Sequence, residues 1–219
     1  MDTKAIVFDA YGTLFDVNSA AEKCKDKIGD KWEGFSNFWR TTQLEYTWLR
    51  SLMKRHKDFW KITEESLDKS MKVFNIDTSM KRDLLNLYKV LSPYPEVKEM
   101  LGKLKDKGFK LAILSNGTPE LLSELVKSNK LDNLFDDLFS IEDVRVYKPD
   151  SKVYEMPVKK YKINSSEIIF LSANTWDVSG GGNYGYNSIW VNRNKAIFDN
   201  LDFKPSNEIS DLTQLLKII

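Results

Sequence analysis

The sequence predicts an α/β fold, doubly wound, with one helical stretch inserted near its start. Two observations carry this. Short apolar runs ending in polar or glycine-containing turns alternate with helical patterns, the layout of a parallel sheet buried on both faces. From about Asn18 to Leu91 that alternation stops, and a long aromatic- and leucine-rich stretch shows no convincing strand. The 219 residues suffice for a core with an inserted subdomain.

The first run, Ala5–Phe8, leads straight into Asp9 within "FDAYGTLFD". The inserted stretch follows, carrying Trp39, Leu44, Trp48, Phe59, Leu67, Met71 and Leu84, and reads as a helical subdomain. Ser92-Pro93-Tyr94-Pro95 brings the chain back, because proline disfavours helix continuation. Val97, Met100, Leu101 and Leu104 repeat at helical spacing, with Gly108 placed to end that helix. Leu111–Leu114 is the next strand. Thr118-Pro119 then reads as a cap followed by proline at the first helical position, with Leu121, Leu122 and Leu125 as the apolar face. Ile168–Leu171 and Ile189–Val191 complete the strands. Pro157 is expected in the first turn of the helix after Lys148, where proline is tolerated. Ser179-Gly180-Gly181-Gly182-Asn183 lacks the P-loop lysine pattern and is expected to form a tight turn. Cys24 shares a helical pattern with Ala20, Ala21 and Ile28, which assigns it to packing. His56, in "MKRHKDFW", is expected at an exposed helix end.

Acids and bases are interspersed and the net charge is +1, which argues against nucleic acid and against a membrane surface as partners. No apolar stretch is long enough to span a bilayer, and the first residues lack the layout of a signal peptide. A single cysteine cannot form an internal disulfide, so the cytoplasm is the expected compartment.

In open α/β sheets, ligands bind beyond the carboxyl ends of the strands. Those ends here carry Asp9, Tyr11 and Thr13; then Ser115 and Asn116 in "LAILSNGTPE"; then Ser172, Asn174 and Asp177 in "LSANTWD". A loop adds Lys148 in "VYKPDSKVY". An isolated strand-end Asp is usually a turn former or cap. Four such groups in order change that reading.

The order resembles that of the haloacid dehalogenase superfamily. Its first motif, DxxxT, matches Asp9 to Thr13; its second matches Ser115, its third Lys148 and its acidic fourth Asp177. The resemblance implies a Rossmann-like core over residues 1–16 and 93–219, with a helical cap over 17–92, and Asp9 as nucleophile. Most members of that superfamily are phosphatases and carry a second acid two residues on, which protonates a departing alkoxide. Halide is a weak base and needs no proton, and Tyr11 stands at that position here. Phosphatases also hold Mg²⁺ between carboxylate and phosphate. The fourth motif here, with one acid, offers few hard oxygen ligands, so no metal and no cofactor are expected.

Within the superfamily the sequence is most similar to the L-2-haloacid dehalogenases, in "FDAYGTLFDV", "WRTTQLEYTWLRSLM", "LSNGTPELL", "YKPDSKVYE" and "LSANTWDVSGGGNYGY". That resemblance implies hydrolysis of an L-2-haloalkanoic acid to a D-2-hydroxy acid and halide through an ester on Asp9. It also implies a homodimer. Lys148 would pair with Asp9 and orient it. Arg40 and Asn116 would stabilise the departing halide. Ser115 would bind the substrate carboxylate. Asp177 would activate the hydrolytic water, with Ser172 and Asn174 positioning both the water and Asp177. Thr13 would brace the Asp9 loop or the ester carbonyl. Tyr11, Leu44, Phe59 and Trp176 would wall the pocket, with Tyr154 near the site. A phosphatase of the same fold and a non-catalytic binding protein are the rival readings. Tyr11 argues against the first, and the intact Asp9, Lys148 and Asp177 against the second.

Overall fold

Ala5–Phe8 forms β1, with all four residues buried. The structure, a computed structural model, describes residues 3–219. The other strands are β2 (Lys110–Ser115), β3 (Asp137–Ser140), β4 (Ile168–Ser172), β5 (Asn187–Val191) and β6 (Asn207–Ile209). They pair in parallel in the order β3-β2-β1-β4-β5-β6. The order reverses between β1 and β4, so a crevice opens there beyond the strand ends. The register sets Phe8 beside both Ile113 and Leu171, which brings Asp9 level with the ends of its two neighbours. The sequence reading missed β3 and β6, because Asp137–Ser140 mixes polar with apolar residues and Asn207–Ile209 is only three residues long.

Between β1 and β2 the chain is helical. The elements are α1 (Ser19–Glu22), α2 (Lys25–Ile28), α3 (Trp32–Leu52), α4 (Phe59–Phe74), α5 (Lys81–Lys89) and α6 (Val97–Asp106). The long pair α3 and α4 forms a hairpin. Asp58 caps α4 by accepting from Lys61 N at 2.8 Å, and left-handed Asn75 ends it. Phe35 and Trp39 of α3 bury against Phe74 and Tyr88. The chain leaves β1 and returns to it side by side: Asp16 N donates to Ser92 O at 2.9 Å, and Tyr94 N to Leu14 O at 3.0 Å.

The later helices α7 (Pro119–Ser128), α8 (Ser151–Tyr161) and α9 (Thr175–Tyr184) cover the sheet. Thr118 caps α7 through Leu121 N, with Pro119 in the first turn. Cys24 is buried at the junction of α1 and α2. Among the described residues, no helix is long and apolar enough to cross a membrane.

Three expectations are corrected. The glycine run is not a turn: it lies inside α9, which ends at Gly185 with φ +111°. Its glycines are there for close approach, since a Cβ on Gly181 would lie 2.7 Å from the Phe170 ring and one on Gly180 would meet the Tyr154 hydroxyl. Pro157 is not in a first turn but inside α8, where its ring removes a helical hydrogen bond. One turn earlier, the Tyr154 carbonyl accepts from the Tyr186 hydroxyl. His56 is not at an exposed helix end either. It lies between α3 and α4, stacks on Tyr147, and its Nε2 meets Glu142 Oε2 at 2.8 Å.

Candidate active site

Asp9 stands at the reversal point and is 5 % exposed. Its backbone N–H still belongs to the sheet, donating to Leu171 O at 2.9 Å. Its two carboxylate oxygens are held separately. Oδ2 accepts from the Thr13 hydroxyl and from Asn174 Nδ2, each at 3.0 Å. Oδ1 accepts from Lys148 Nζ at 3.1 Å. The turn from Asp9 to Phe15 is closed by Leu14 N and Phe15 N on Ala10 O, with Gly12 at φ +88°, where a side chain would strain the backbone.

Lys148 is fully buried and serves two carboxylates: besides Asp9, its Nζ donates to Asp177 Oδ2 at 2.8 Å. Burial pulls its pKa down, but Asp177 and Asp9 more than offset that and hold it above the ordinary lysine value. Asp177 has no exposed surface, and its second oxygen accepts from the Tyr154 hydroxyl at 2.7 Å. Burial is the main influence on Asp177 and pushes its carboxyl up, against the pull of Lys148. Each Asp177 oxygen therefore already accepts one hydrogen bond, and a water reaches it only through a remaining lone pair. Tyr154 is wholly buried beneath Asp177, so it is a support for that carboxylate and not a wall of the crevice.

The neighbouring strand ends supply the rest. Ser115 Oγ, at the end of β2, accepts from Gly117 N at 3.1 Å. Asn116 Oδ1 accepts from Lys148 N at 3.2 Å, which leaves its Nδ2 as the donor. Ser172 Oγ accepts from Asn174 N at 3.1 Å and so sets the loop that aims Asn174 at Asp9.

The helical layer closes over this cluster. Tyr11 is buried between Phe59 and Tyr88, with ring centroids 5.4 and 5.6 Å away. Burial raises its pKa well above the usual phenol value, so it presents a neutral ring. Arg40 of α3 donates through Nη1 to Gln43 Oε1 at 2.9 Å and through Nη2 to Tyr11 O at 3.4 Å. Gln43, buried behind it, is fixed by Thr63 and Tyr88. Trp176 on α9 meets Trp48 on α3 edge to face at 5.4 Å. Leu44 is half-buried one turn beyond Arg40, outside the hydrogen-bonded cluster.

Three residues near the cluster, Gln43, Tyr88 and Arg193, were not foreseen. Gln43 lies within the stretch "WRTTQLEYTWLRSLM", but only Arg40 and Leu44 of that stretch were given roles. Arg193 donates to Thr13 O at 2.9 Å, and it lies two residues past β5, where the strand-end rule could have found it. Among the described residues, no three His, Cys, Asp or Glu side chains gather to hold a metal. At Asp9 itself an ammonium group already bridges the two carboxylates that a cation would need.

The family model of haloacid dehalogenase-like hydrolases matches residues 3–185. The chain belongs to that family. Over 219 residues it is 40 % identical to (S)-2-haloacid dehalogenase 4A of Burkholderia cepacia, covering 99 % of this chain and 94 % of that protein. A dehalogenase crystal structure superposes with a TM-score of 0.97 at 37 % identity, covering 99 % of this chain and 97 % of that one. The L-2-haloacid dehalogenase of Xanthobacter autotrophicus, with chloropropionic acid covalently bound, gives a TM-score of 0.89 at 32 % identity, covering 99 % and 98 %.

Proposed function

We propose that the chain hydrolyses L-2-haloalkanoic acids to D-2-hydroxy acids and halide, with Asp9 as nucleophile. The observation that carries this reading is the setting of Asp9. It is held at both oxygens by Thr13, Asn174 and Lys148, and faces an apolar Tyr11–Phe59–Tyr88 cluster where an alkoxide-protonating acid would otherwise stand. The covalently bound chloropropionic acid of the Xanthobacter relative supports the same chemistry.

In this reading one Asp9 oxygen displaces halide from C2 in line, which inverts that carbon and forms an ester. Water then adds at the Asp9 carbonyl carbon and releases the hydroxy acid. Arg40 and Asn116 Nδ2 stabilise the departing halide, a role akin to that of an oxyanion hole. Ser115 with its loop binds the substrate carboxylate. Tyr11, Leu44, Phe59 and Trp176 enclose the alkyl group, and the helices over 17–92 act as the cap. Lys148 orients Asp9, and Asp177, supported by Tyr154, holds Lys148. Ser172 and Asn174 position the water. Asp177 activates that water through a free lone pair once the ester has removed the Asp9 charge. The lysine bridge and the sparse acid set do not suit a divalent cation, so turnover is expected to survive chelation.

The test is single-turnover hydrolysis of L-2-chloropropionate in heavy-oxygen water, with enzyme in excess. The label is expected in the peptide containing Asp9 and not in the first-formed product. The D enantiomer is expected to release little halide. Label entering the hydroxy acid directly would make Asp9 a general base. Phosphate release from small esters that depends on Mg²⁺, without halide release, would return the chain to phosphatase chemistry.

A further inference from the structure

Arg193 follows β5 and belongs to none of the motifs that mark the site. Its side chain is only 12 % exposed. Nη2 donates to Thr13 O at 2.9 Å and pairs with Glu96 Oε1 at 2.7 Å. The guanidinium carbon lies 3.7 Å from the centroid of the Tyr94 ring, a close cation–π stack. Its Nε is buried and has no partner.

The place it grips is specific. The turn after Asp9 uses Ala10 O, Leu14 O and Phe15 O as acceptors, but not Thr13 O. Among the described residues no other hydrogen-bond donor is seen on Thr13 O. The same residue's hydroxyl donates to Asp9 Oδ2 and accepts from Ala173 N at 2.8 Å. A shift of the Thr13 backbone is therefore a shift of a group that orients Asp9. On the other side of Gly12, Arg40 reaches Tyr11 O. That hold comes from α3 and depends on where the helical layer sits. The Arg193 hold comes from the sheet and does not. A buried guanidinium with an orphaned nitrogen is a poor choice for stability alone, since an apolar side chain in that space is often as stabilising or more so.

We propose that Arg193 is a positioning residue for the nucleophile: it fixes the Thr13 carbonyl and, through Thr13, the orientation of Asp9. Stacking on Tyr94 and pairing with Glu96 preset the guanidinium for that contact. The inference rests on Asp9 being the nucleophile of the proposed reaction.

The experiment compares the full-length wild type with Arg193→Ala and Arg193→Lys in two measurements. The first is steady-state halide release. Misplacing a reacting group by about 1 Å costs roughly 10²-fold. Arg193→Ala is expected to lose about that in kcat while KM changes by less than about 3-fold. Added guanidinium ion restores part of kcat, and sodium chloride at equal concentration does not. Arg193→Lys, which keeps the charge but not the planar fork, falls between the two and serves if the alanine variant does not fold. The second is amide hydrogen exchange, which needs no substrate. Peptides covering residues 10–16 are expected to exchange faster in the variants than in wild type, with β4 and β5 unchanged. Unaltered exchange at 10–16 overturns the proposal. So does a loss of activity that follows uniform destabilisation without guanidinium rescue. If the wild type fails to act on 2-haloacids, the functional reading falls, and the exchange measurement alone still decides whether Arg193 holds the loop.

Discussion

At the residue scale, Lys148 governs the charge balance of the site. It is a buried ammonium between two buried carboxylates, and each partner is fixed again from behind: Asp9 by Thr13 and Asn174, Asp177 by Tyr154. Burial alone would discharge Lys148, yet the two acids keep its pKa raised. A raised pKa in the folded state gives stability that is fully present below the ordinary lysine value of about 10.4 and is lost as pH rises through the higher folded value. The alkaline fall of kcat/KM is accordingly expected above the ordinary lysine value. The stability difference between wild type and Lys148→Met should shrink as pH rises beyond about 10. A pH–rate profile with denaturant unfolding at alkaline pH checks both. The Asp9–Lys148 pair was legible in the sequence because each stands within a recognisable motif, Asp9 at the end of β1 and Lys148 in the loop before α8. Lys148's second partner was not, because a carboxylate that pairs with a lysine and one that activates water look alike in sequence. Arg193 was hidden too, since its contact with Thr13 O is to backbone, and backbone leaves no residue-type signal.

At the element scale, what could be read depended on whether an element's burial left a pattern. β1, β2, β4 and β5 lie inside the sheet, and their apolar runs announced them. The edge strands β3 and β6 are short and partly exposed, and left none. The glycines of α9 misled for a related reason: composition shows glycine, but not the neighbour that requires it. Gly181 approaches Phe170, which is fully buried on β4 and has no room to move. Alanine is the better helix former by about 1 kcal/mol. Even so, Gly181→Ala is expected to destabilise the protein by about 1–3 kcal/mol through overpacking. Gly102 of α6 is the control: a Cβ there meets nothing within 4 Å, so Gly102→Ala should stabilise by about 0.5–1 kcal/mol. Denaturant unfolding of the two variants separates packing from propensity.

At the scale of the whole molecule, the sheet holds the chemical groups and the helical layer encloses them. Asp9, Tyr11 and Phe59 are all buried where the helical layer meets the strand ends. Contacts across that seam include Arg40 on Tyr11 O, Tyr11 against Phe59 and Tyr88, Trp48 on Trp176, Tyr147 on Lys57 O and Ser51 Oγ, and His56 on Glu142.

The paired crossing at Asp16 and Ser92 has a consequence of another kind. To the sheet, all the helices from Ser19 to Lys89 amount to one long loop whose two ends already touch. Such a loop is a cassette. A short glycine–serine bridge could replace residues 17–91 with little change in closure entropy, since that term grows only slowly with loop length. The shortened chain is expected to keep its parallel sheet, readable by circular dichroism, and to release no halide, having lost Arg40, Phe59 and Tyr88 together. By the same logic, a foreign helical unit spliced between the same two points would give an old nucleophile a new roof.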